Sequence, residues 1–503
     1  MDALTSWLLE GEAALERGDT ARAIESFRQA RDAAPHVIPI ALLLANAHRI
    51  AGDTPRARDV LRAVHAASPP ANAAEQHALG AALLDVGAPK EAAECFAYVM
   101  RIHPRDPAAL TAMASAKRAM GQPGVVWPLV QRALAIAPSN PAFLLTAAQV
   151  RHALGDLAGA RRWLAAADRL RPNHPPTRLQ CAYTSLLRGP SADGWQLFES
   201  RALPVPATKA RAWHGESLHG ESILVAAEQG MGDLLQFVRF VPELAARGAT
   251  RVVIECHAGL VSLLTASGIE AVPRGAVPET DWYVPMLSLP NRLGLATDVG
   301  ASRVPYLVPE VAARASHERE VRRTERREQQ QVKGVAPRRL GVVWLGNPAF
   351  LATMLRDFDE TLLPELLTIP DIEWISLQFG EASPTDYAGL ARPTLTERWL
   401  ETAQLLARLD GLVTVDTGMA HLAGAMGVPT WVLLPAAPDW RWGLGADTTP
   451  WYPSHRLLRQ KSPNDWRSVV KALREALLSG DTMIVGGSNR TRIIPCSCLN
   501  LTS

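Results

Sequence analysis

Two patterns of apolar positions divide the chain. Over roughly the first two hundred residues they fall three and four apart. In TARAIESFRQARDAAP, for example, Ala23, Phe27 and Ala30 share one stripe of a helix. Beyond Pro206 the pattern changes to compact, β-branched runs. These occur at Ile223 to Ala227, Val252 to Ile254, Trp282 to Val284, Leu340 to Leu345, Ile372 to Gln378, Leu412 to Val415 and Thr430 to Leu434. Such short apolar runs predict buried strands. Helical stretches lie between them, at Leu234 to Arg247, Phe358 to Leu367, Glu401 to Leu409 and Met419 to Met426. Strands alternating with helices predict an α/β region with a parallel sheet. An all-helical part thus precedes an α/β part.

The helical part is punctuated twice over. Gly18, Gly52, Gly87, Gly121, Gly155 and Gly189 follow one another at steps of 34, 35, 34, 34 and 34 residues. Pro35, Pro69, Pro104, Pro138 and Pro172 keep the same phase. Glycine ends the first helix of each pair and proline ends the second. A helix–turn–helix unit of this period resembles the tetratricopeptide repeat, over about two-fifths of the chain. The resemblance implies a superhelical array with a concave groove. Its expected role is capture of a peptide or protein; a spacer or a self-association surface, giving a homo-oligomer, is the other reading. After Gly189 the unit degrades, and Trp195 and Phe198 suggest a capping helix that turns its apolar face to a following domain.

Composition narrows the class. With 503 residues, 48% hydrophobic and 20% charged, the chain suits several soluble globular domains. A net charge of +2 argues against a protein-wide nucleic-acid or membrane-surface role. The opening MDALTSWLLEGEAALE has no basic lead and carries acids within its apolar stretch, so no signal peptide is expected. The least charged stretch, Gly411 to Trp442, is interrupted by Asp416, His421 and a Gly-x-Pro break, so no membrane span is expected. Five cysteines, at 95, 181, 256, 496 and 498, form no paired framework, as in a reducing cytosol, and a cytoplasmic protein is expected. The expected domains are a repeat array over 1–204, α/β domains over 205–314 and 339–482, a charged linker over 315–338 and a disordered tail over 483–503. Glutamates interleave the arginines of that linker, which reads as solvated rather than nucleic-acid-binding.

The candidate chemistry gathers at strand ends. EQGMGD, Glu228 to Asp233, follows the first α/β strand, and Gly230 and Gly232 mark a sharp bend or the close approach of a ligand. Asp233 is either a helix cap, stabilising by about 1 kcal/mol, or a general base at the strand's carboxyl end. A dinucleotide fingerprint is incomplete, because Leu235 stands where the third glycine belongs, although Glu255 falls at the ribose-contacting distance. The second stretch is VDTGMAHLAGAMG. There Asp416, Thr417 and Gly418 turn a strand into a helix whose bare N–H groups suit a phosphate. A buried crossover with an ordinary cap is the alternative. Gly346, Asn347 and Gln378 also end strands, along the edge where open α/β sheets bind ligands. Arg356 is a phosphate counter-charge or a surface arginine. Asp357 and Asp359 have the spacing of a metal pair, but Asp359 reads better as a helix cap. Trp440, with Arg441 and Trp442, either stacks on a base or sugar or pins its loop.

Together, MGD after one strand and DTGMAH after another resemble the GT-B glycosyltransferases of family 9, which include the bacterial lipopolysaccharide heptosyltransferases. The resemblance covers roughly residues 213–475 and extends to bacterial repeat-fused members. It implies a GT-B fold, with two Rossmann-like domains facing a cleft, after the tetratricopeptide solenoid. It also implies Asp233 as the base for the acceptor hydroxyl, beside a loop of Gln229, Gly230, Met231 and Gly232. The donor diphosphate is implied on Asp416, Thr417, Gly418, Met419, Ala420 and His421, with Gly346, Asn347, Arg356, Gln378 and Trp440 on the donor side. The expected activity is inverting, metal-independent transfer from a nucleotide sugar, with no cofactor, to a protein or glycan acceptor recruited by the repeats. The alternative is a repeat scaffold whose GT-B half binds a nucleotide but is catalytically inactive.

Overall fold

The computed structural model describes residues 2–67, 72–203, 208–300, 303–309, 337–346, 356–379 and 398–479, with 387, 389–393 and 395. Asn347, the proline joint at 204–206, the span 315–336 of the charged linker and the tail over 483–503 lie outside the described residues. So do Cys496 and Cys498. Two compact units emerge, the first covering Met1–Thr177 and the second opening at Arg178.

The first unit is a tetratricopeptide solenoid. Its helices come in pairs: Ala3–Glu16 with Thr20–Ala33, Ile38–Ile50 with Thr54–Ala67, Ala73–Asp85 with Pro89–Ile102, Pro107–Ala119 with Val126–Ile136, and Pro141–Ala153 with Leu157–Leu170. The periodic glycines are the residues that leave the helical region. Gly18, Gly52, Gly87, Gly121 and Gly155 have φ between 70° and 81°, which an L side chain adopts only at a cost. Within a pair the helices approach through small residues. A Cβ on Gly11 would lie 2.4 Å from the buried Phe27 ring, and one on Gly80 would lie 2.7 Å from Phe96.

The second unit contains two parallel sheets. The first comprises β1 (Arg211–Ala212), β2 (Ser222–Ala226), β3 (Arg251–Cys256), β4 (Ala271–Pro273) and β5 (Trp282–Pro285), in the order β1-β5-β2-β3-β4. The second comprises β6 (Arg338–Val343), β7 (Ile372–Ser376), β8 (Leu390–Ala391), β9 (Gly411–Val415), β10 (Thr430–Leu434) and β11 (His455–Arg459), in the order β11-β10-β9-β6-β7-β8. Every residue of β9 and β10 is buried, as strands covered on both faces require. Two parallel α/β sheets after a helical solenoid make the GT-B-type arrangement.

Each sheet has a point where the chain reverses its direction of growth. In the first sheet the chain steps outward from β2 to β4 and then returns to the other side of β2 with β5. In the second it steps from β6 to β8 and returns with β9 beside β6. Crevices at the carboxyl ends of such strands are where open α/β sheets bind ligands. The EQGMGD turn leaves β2 and the DTG turn leaves β9, so both fall at these points.

Two readings of the sequence need adjustment. The helix expected over Leu234 to Arg247 is broken into Met231–Phe237, a 3-10 turn Val238–Phe240 and a helix Val241–Ala246. Pro242 has no N–H to continue the first segment and instead opens the last one. The last degraded repeat, Pro175–Leu186 and Ala192–Phe198, passes into the second unit from Arg178 onward. There Trp195 packs edge-on to Phe237, Trp440 and Trp451. Arg201, just after it, forms a buried two-point ion pair with Glu228, and its Nη2 also donates to Ser288.

Candidate functional site

The helix Met231–Phe237 follows β2, and one of its own carboxylates answers the N–H of its cap residue. Gly230 occupies the cap position, and Asp233, in the first turn, accepts the Gly230 N–H at 2.8 Å on Oδ2. The capping alternative for Asp233 is therefore realised, from the first turn rather than the cap position. Its other oxygen, Oδ1, accepts from Nη2 of Arg441. Burial raises the Asp233 carboxyl above the ordinary aspartate range, while the Arg441 guanidinium and the Gly230 N–H pull it down. Its side chain keeps 16% of its surface open. Just before it, Gln229 is exposed and holds φ at 55°, a left-handed conformation that costs a non-glycine residue free energy and is frequent at functional turns.

The helix Gly418–Ala425 begins where β9 ends, and no side chain caps it. Thr417 turns its hydroxyl back to Thr414, 3.1 Å away. Asp416 is buried beside Arg356, with Nη1 at 3.5 Å from Oδ2. The helix is otherwise embedded: Met419, Ala420 and His421 are all buried.

The two helix starts touch. A Cβ on Gly232 would lie 3.3 Å from Gly418 Cα and 2.9 Å from the His421 ring. A Cβ on Gly418 would meet the Trp399 ring at 2.8 Å, and Trp399 in turn donates its indole N–H to Met231 Sδ at 3.1 Å. A side chain at Gly232 would crowd the His421 ring and the Gly418 backbone, and one at Gly418 would crowd the Trp399 ring. The open gap expected between Asp233 and the DTG helix is thus closed at the glycines, so a ligand reaching both must lie beside that contact.

Three residues expected on the donor side have partners within the protein. His421 is a core residue: its Nδ1 lies 2.9 Å from the Tyr452 hydroxyl, and its ring stacks on Trp442. Burial, reinforced by Arg441, holds its pKa well below the ordinary value, so it stays neutral near pH 7. Trp440 is buried among Trp195, Phe198 and Trp451 and pins its loop rather than offering a face. Gln378 is engaged by the end of β6, accepting from Trp344 and Leu345 N–H at 3.2 and 3.0 Å. Gly346 is buried on the same segment. Glu255 accepts the Gly275 N–H at 3.0 Å, a loop contact rather than a ribose one. Asp359 caps the turn that follows it, accepting from Thr361. Among the described residues, no group of three or more His, Cys, Asp or Glu is arranged to hold a metal ion.

Sequence reasoning took Arg441 only as part of a run that stacks on a ligand or pins its loop, and left out Asp439. Arg441 donates through Nη1 to Asp439 at 2.8 Å, through Nε to Gln236 at 2.8 Å and through Nη2 to Asp233. Burial opposes its charge, but Asp439, Asp233 and Asp416 together raise its pKa further. The only signal for it was the charged residue inside Asp439-Trp440-Arg441-Trp442, a run that reads as aromatic.

Comparison with known proteins agrees with this layout. Residues 14–83 match the tetratricopeptide repeat, and residues 396–467, which contain the DTG turn, match glycosyltransferase family 9 (heptosyltransferase). Protein FlbA of Caulobacter vibrioides is 23% identical over 331 residues, which are 58% of this chain and 53% of FlbA. The chain thus spans about half the length of this curated relative. Among solved structures, a thermophilic tetratricopeptide protein of Thermus thermophilus aligns with TM-score 0.29 and 18% identity, over 36% of this chain and 99% of its own. PilF of Pseudomonas aeruginosa aligns with TM-score 0.29 and 16% identity, over 39% of this chain and 88% of its own. Among the described residues no helix is long and apolar enough to cross a membrane. The chain joins a tetratricopeptide array to two parallel α/β sheets, and the residues similar to glycosyltransferase family 9 lie in the part that builds the second.

Proposed function

We propose that this protein transfers a sugar from a nucleotide-sugar donor to an acceptor hydroxyl, inverting the anomeric carbon and using no metal ion or other cofactor. The observation that carries the reading is the meeting of the two helix starts, Gly232 against Gly418, with Asp233 next to Gly232 on one helix and no side-chain cap on the other, each helix leaving the reversal point of its own sheet. In the reaction the acceptor oxygen forms its bond to the anomeric carbon as the bond to the diphosphate breaks. Asp233 takes the hydroxyl proton, and the nucleoside diphosphate departs with the bonding electron pair. General-base assistance of this kind contributes about 100- to 10,000-fold. The bare amides at Gly418 and Met419, with Arg356 nearby, face the charge that develops on the leaving group, typically the largest catalytic contribution.

The repeat array recruits the acceptor in this reading. A protein acceptor suits a solenoid better than a small glycan, because such surfaces bind extended chains. The cytoplasm, where Cys95, Cys181 and Cys256 would stay free, is the proposed compartment.

A second reading has one observation in its favour: both oxygens of Asp233 are already engaged, by Gly230 and Arg441. It makes the α/β region an inactive nucleotide binder on a repeat scaffold. A thermal-shift screen against UDP, GDP, ADP and dTDP and their sugars, followed by assay of nucleotide release, separates the two. Transfer predicts both a melting shift and release that depends on Asp233; the scaffold reading predicts the shift alone, and neither result would remove both.

A further inference from the structure

We propose that Arg441 is the positioning residue of the Asp233 carboxylate, a guanidinium supplied by the second sheet to orient a base carried by the first. This rests on the reading of Asp233 as the base. Asp233 is held at two points: Oδ2 by the Gly230 N–H at the helix start and Oδ1 by Arg441. An ionised carboxylate has about four lone-pair sites. Two such bonds fix its plane and leave acceptor capacity on each oxygen for an incoming hydroxyl.

Arg441 is itself held on every side. Asp439 fixes Nη1 and Gln236, on the same helix as Asp233, fixes Nε. Its guanidinium lies over the Trp440 ring at 4.3 Å, and Trp440 is locked in the aromatic cluster. With the side chain only 9% exposed, few other rotamers are open to it. The geometry therefore transmits the position of the second sheet's loop to the carboxylate of the first. A lysine offers a point charge where the arginine offers a planar fork, and would not reproduce this arrangement.

The charged and titratable groups around Asp233 are Arg441, Asp439, Asp416 with its partner Arg356, the neutral His421 and Tyr183. Of the two arginines, Arg441 is the one bonded to Asp233, and Arg356 answers Asp416. Removing the Arg441 charge leaves Asp233 facing two acids and shifts its ionisation to higher pH.

The test compares the full-length wild type with Arg441→Met, Arg441→Lys and Asp233→Asn. The probe is release of nucleoside diphosphate from a panel of UDP-, GDP-, ADP- and dTDP-linked sugars, measured across pH, with melting curves for each variant. Arg441→Met is expected to lower kcat by about 100-fold, the scale of a misplaced reacting group. Donor KM should change little, and the acid limb of the pH profile should move to higher pH. Arg441→Lys should restore the limb's position while kcat stays low. A lower melting temperature with an unmoved limb would reduce Arg441 to a structural tie and overturn the inference. A raised donor KM at unchanged kcat would make it a donor ligand, and would overturn it equally. If Asp233→Asn releases nucleotide at the wild-type rate, or no panel member shows Asp233-dependent release, the base reading itself falls and takes the inference with it.

Discussion

Each sheet sends a helix to the same place, and the two helices differ in whether a carboxylate reaches back to the start. At Met231–Phe237 a first-turn carboxylate, Asp233, reaches back to the N–H of the cap residue Gly230. Gly418–Ala425 starts without a side-chain cap, because Thr417 bonds backward to Thr414 instead. A helix leaves its first N–H groups without intrahelical partners, and something must answer them. At the first helix a carboxylate answers one of them, and at the second no side chain answers any, so a phosphate oxygen can take that place. The contrast separates the roles that one shared β-turn-α plan could serve. The first helix presents a carboxylate and the second presents bare amides.

The sharpest break in that comparison comes from Asp233. Replacing it with asparagine removes the base, and transfer is expected to fall by about 100- to 10,000-fold. Nucleotide binding, measured by melting shift, should survive nearly intact, because the second helix is untouched. Equal loss of both would assign Asp233 to structure. With the wild type, the acid limb of the rate profile should lie above the ordinary aspartate range, since the buried carboxyl is raised and must be ionised to act.

Acid should strike the second helix next. Trp442 stacks on both His421 and His455, and His455 Nε2 donates to Ala420 O at 3.0 Å. Burial lowers the His455 pKa from 6.5 to about 4. A depressed histidine favours the neutral form in the fold, so its contribution is complete above its ordinary pKa and is lost as pH falls from about 6.5 toward 4. The loss reaches up to about 3 kcal/mol at the acid end. Melting curves across this window, with His455→Gln as a flatter control, measure it.

The glycine contact between the helices is a smaller lever. Gly232→Ala would place a Cβ 2.9 Å from the His421 ring and 3.3 Å from Gly418. Overpacking of this kind costs about 1–3 kcal/mol, readable as a lower denaturation midpoint. Smallest of all is the effect of making the two starts alike. Thr417→Asp should supply the missing cap and stabilise by about 1 kcal/mol. It should weaken nucleoside diphosphate binding by about tenfold, because the new carboxylate occupies the amides and repels the phosphate. Tighter binding would argue against a phosphate at that end.

Much of the architecture was legible without coordinates. The repeat glycines were found by phase alone, because a backbone that must turn left-handed selects glycine every time the turn recurs. The strand Thr430–Leu434 was bounded as observed, since β-branched runs between a Gly-x-Pro break and a proline leave few alternatives. The short strands β1, β4 and β8 carry too few residues to form a pattern. In the candidate site, Asp233 and the DTG turn stood out because they lie on local strand-to-helix turns. Arg441 did not, because its partner is 208 residues away.

The sequence by itself determined the repeat period, the alternation of strand and helix, and the two turns that carry polar groups. All of these are local, set within a few residues by backbone sterics and the spacing of apolar side chains. Tertiary structure decided which polar groups were already taken. It placed Gln378 on the β6 backbone, His421 and Trp440 in the core, and Arg441 against Asp233, since hydrogen bonds and burial between distant segments depend on how the sheets come together.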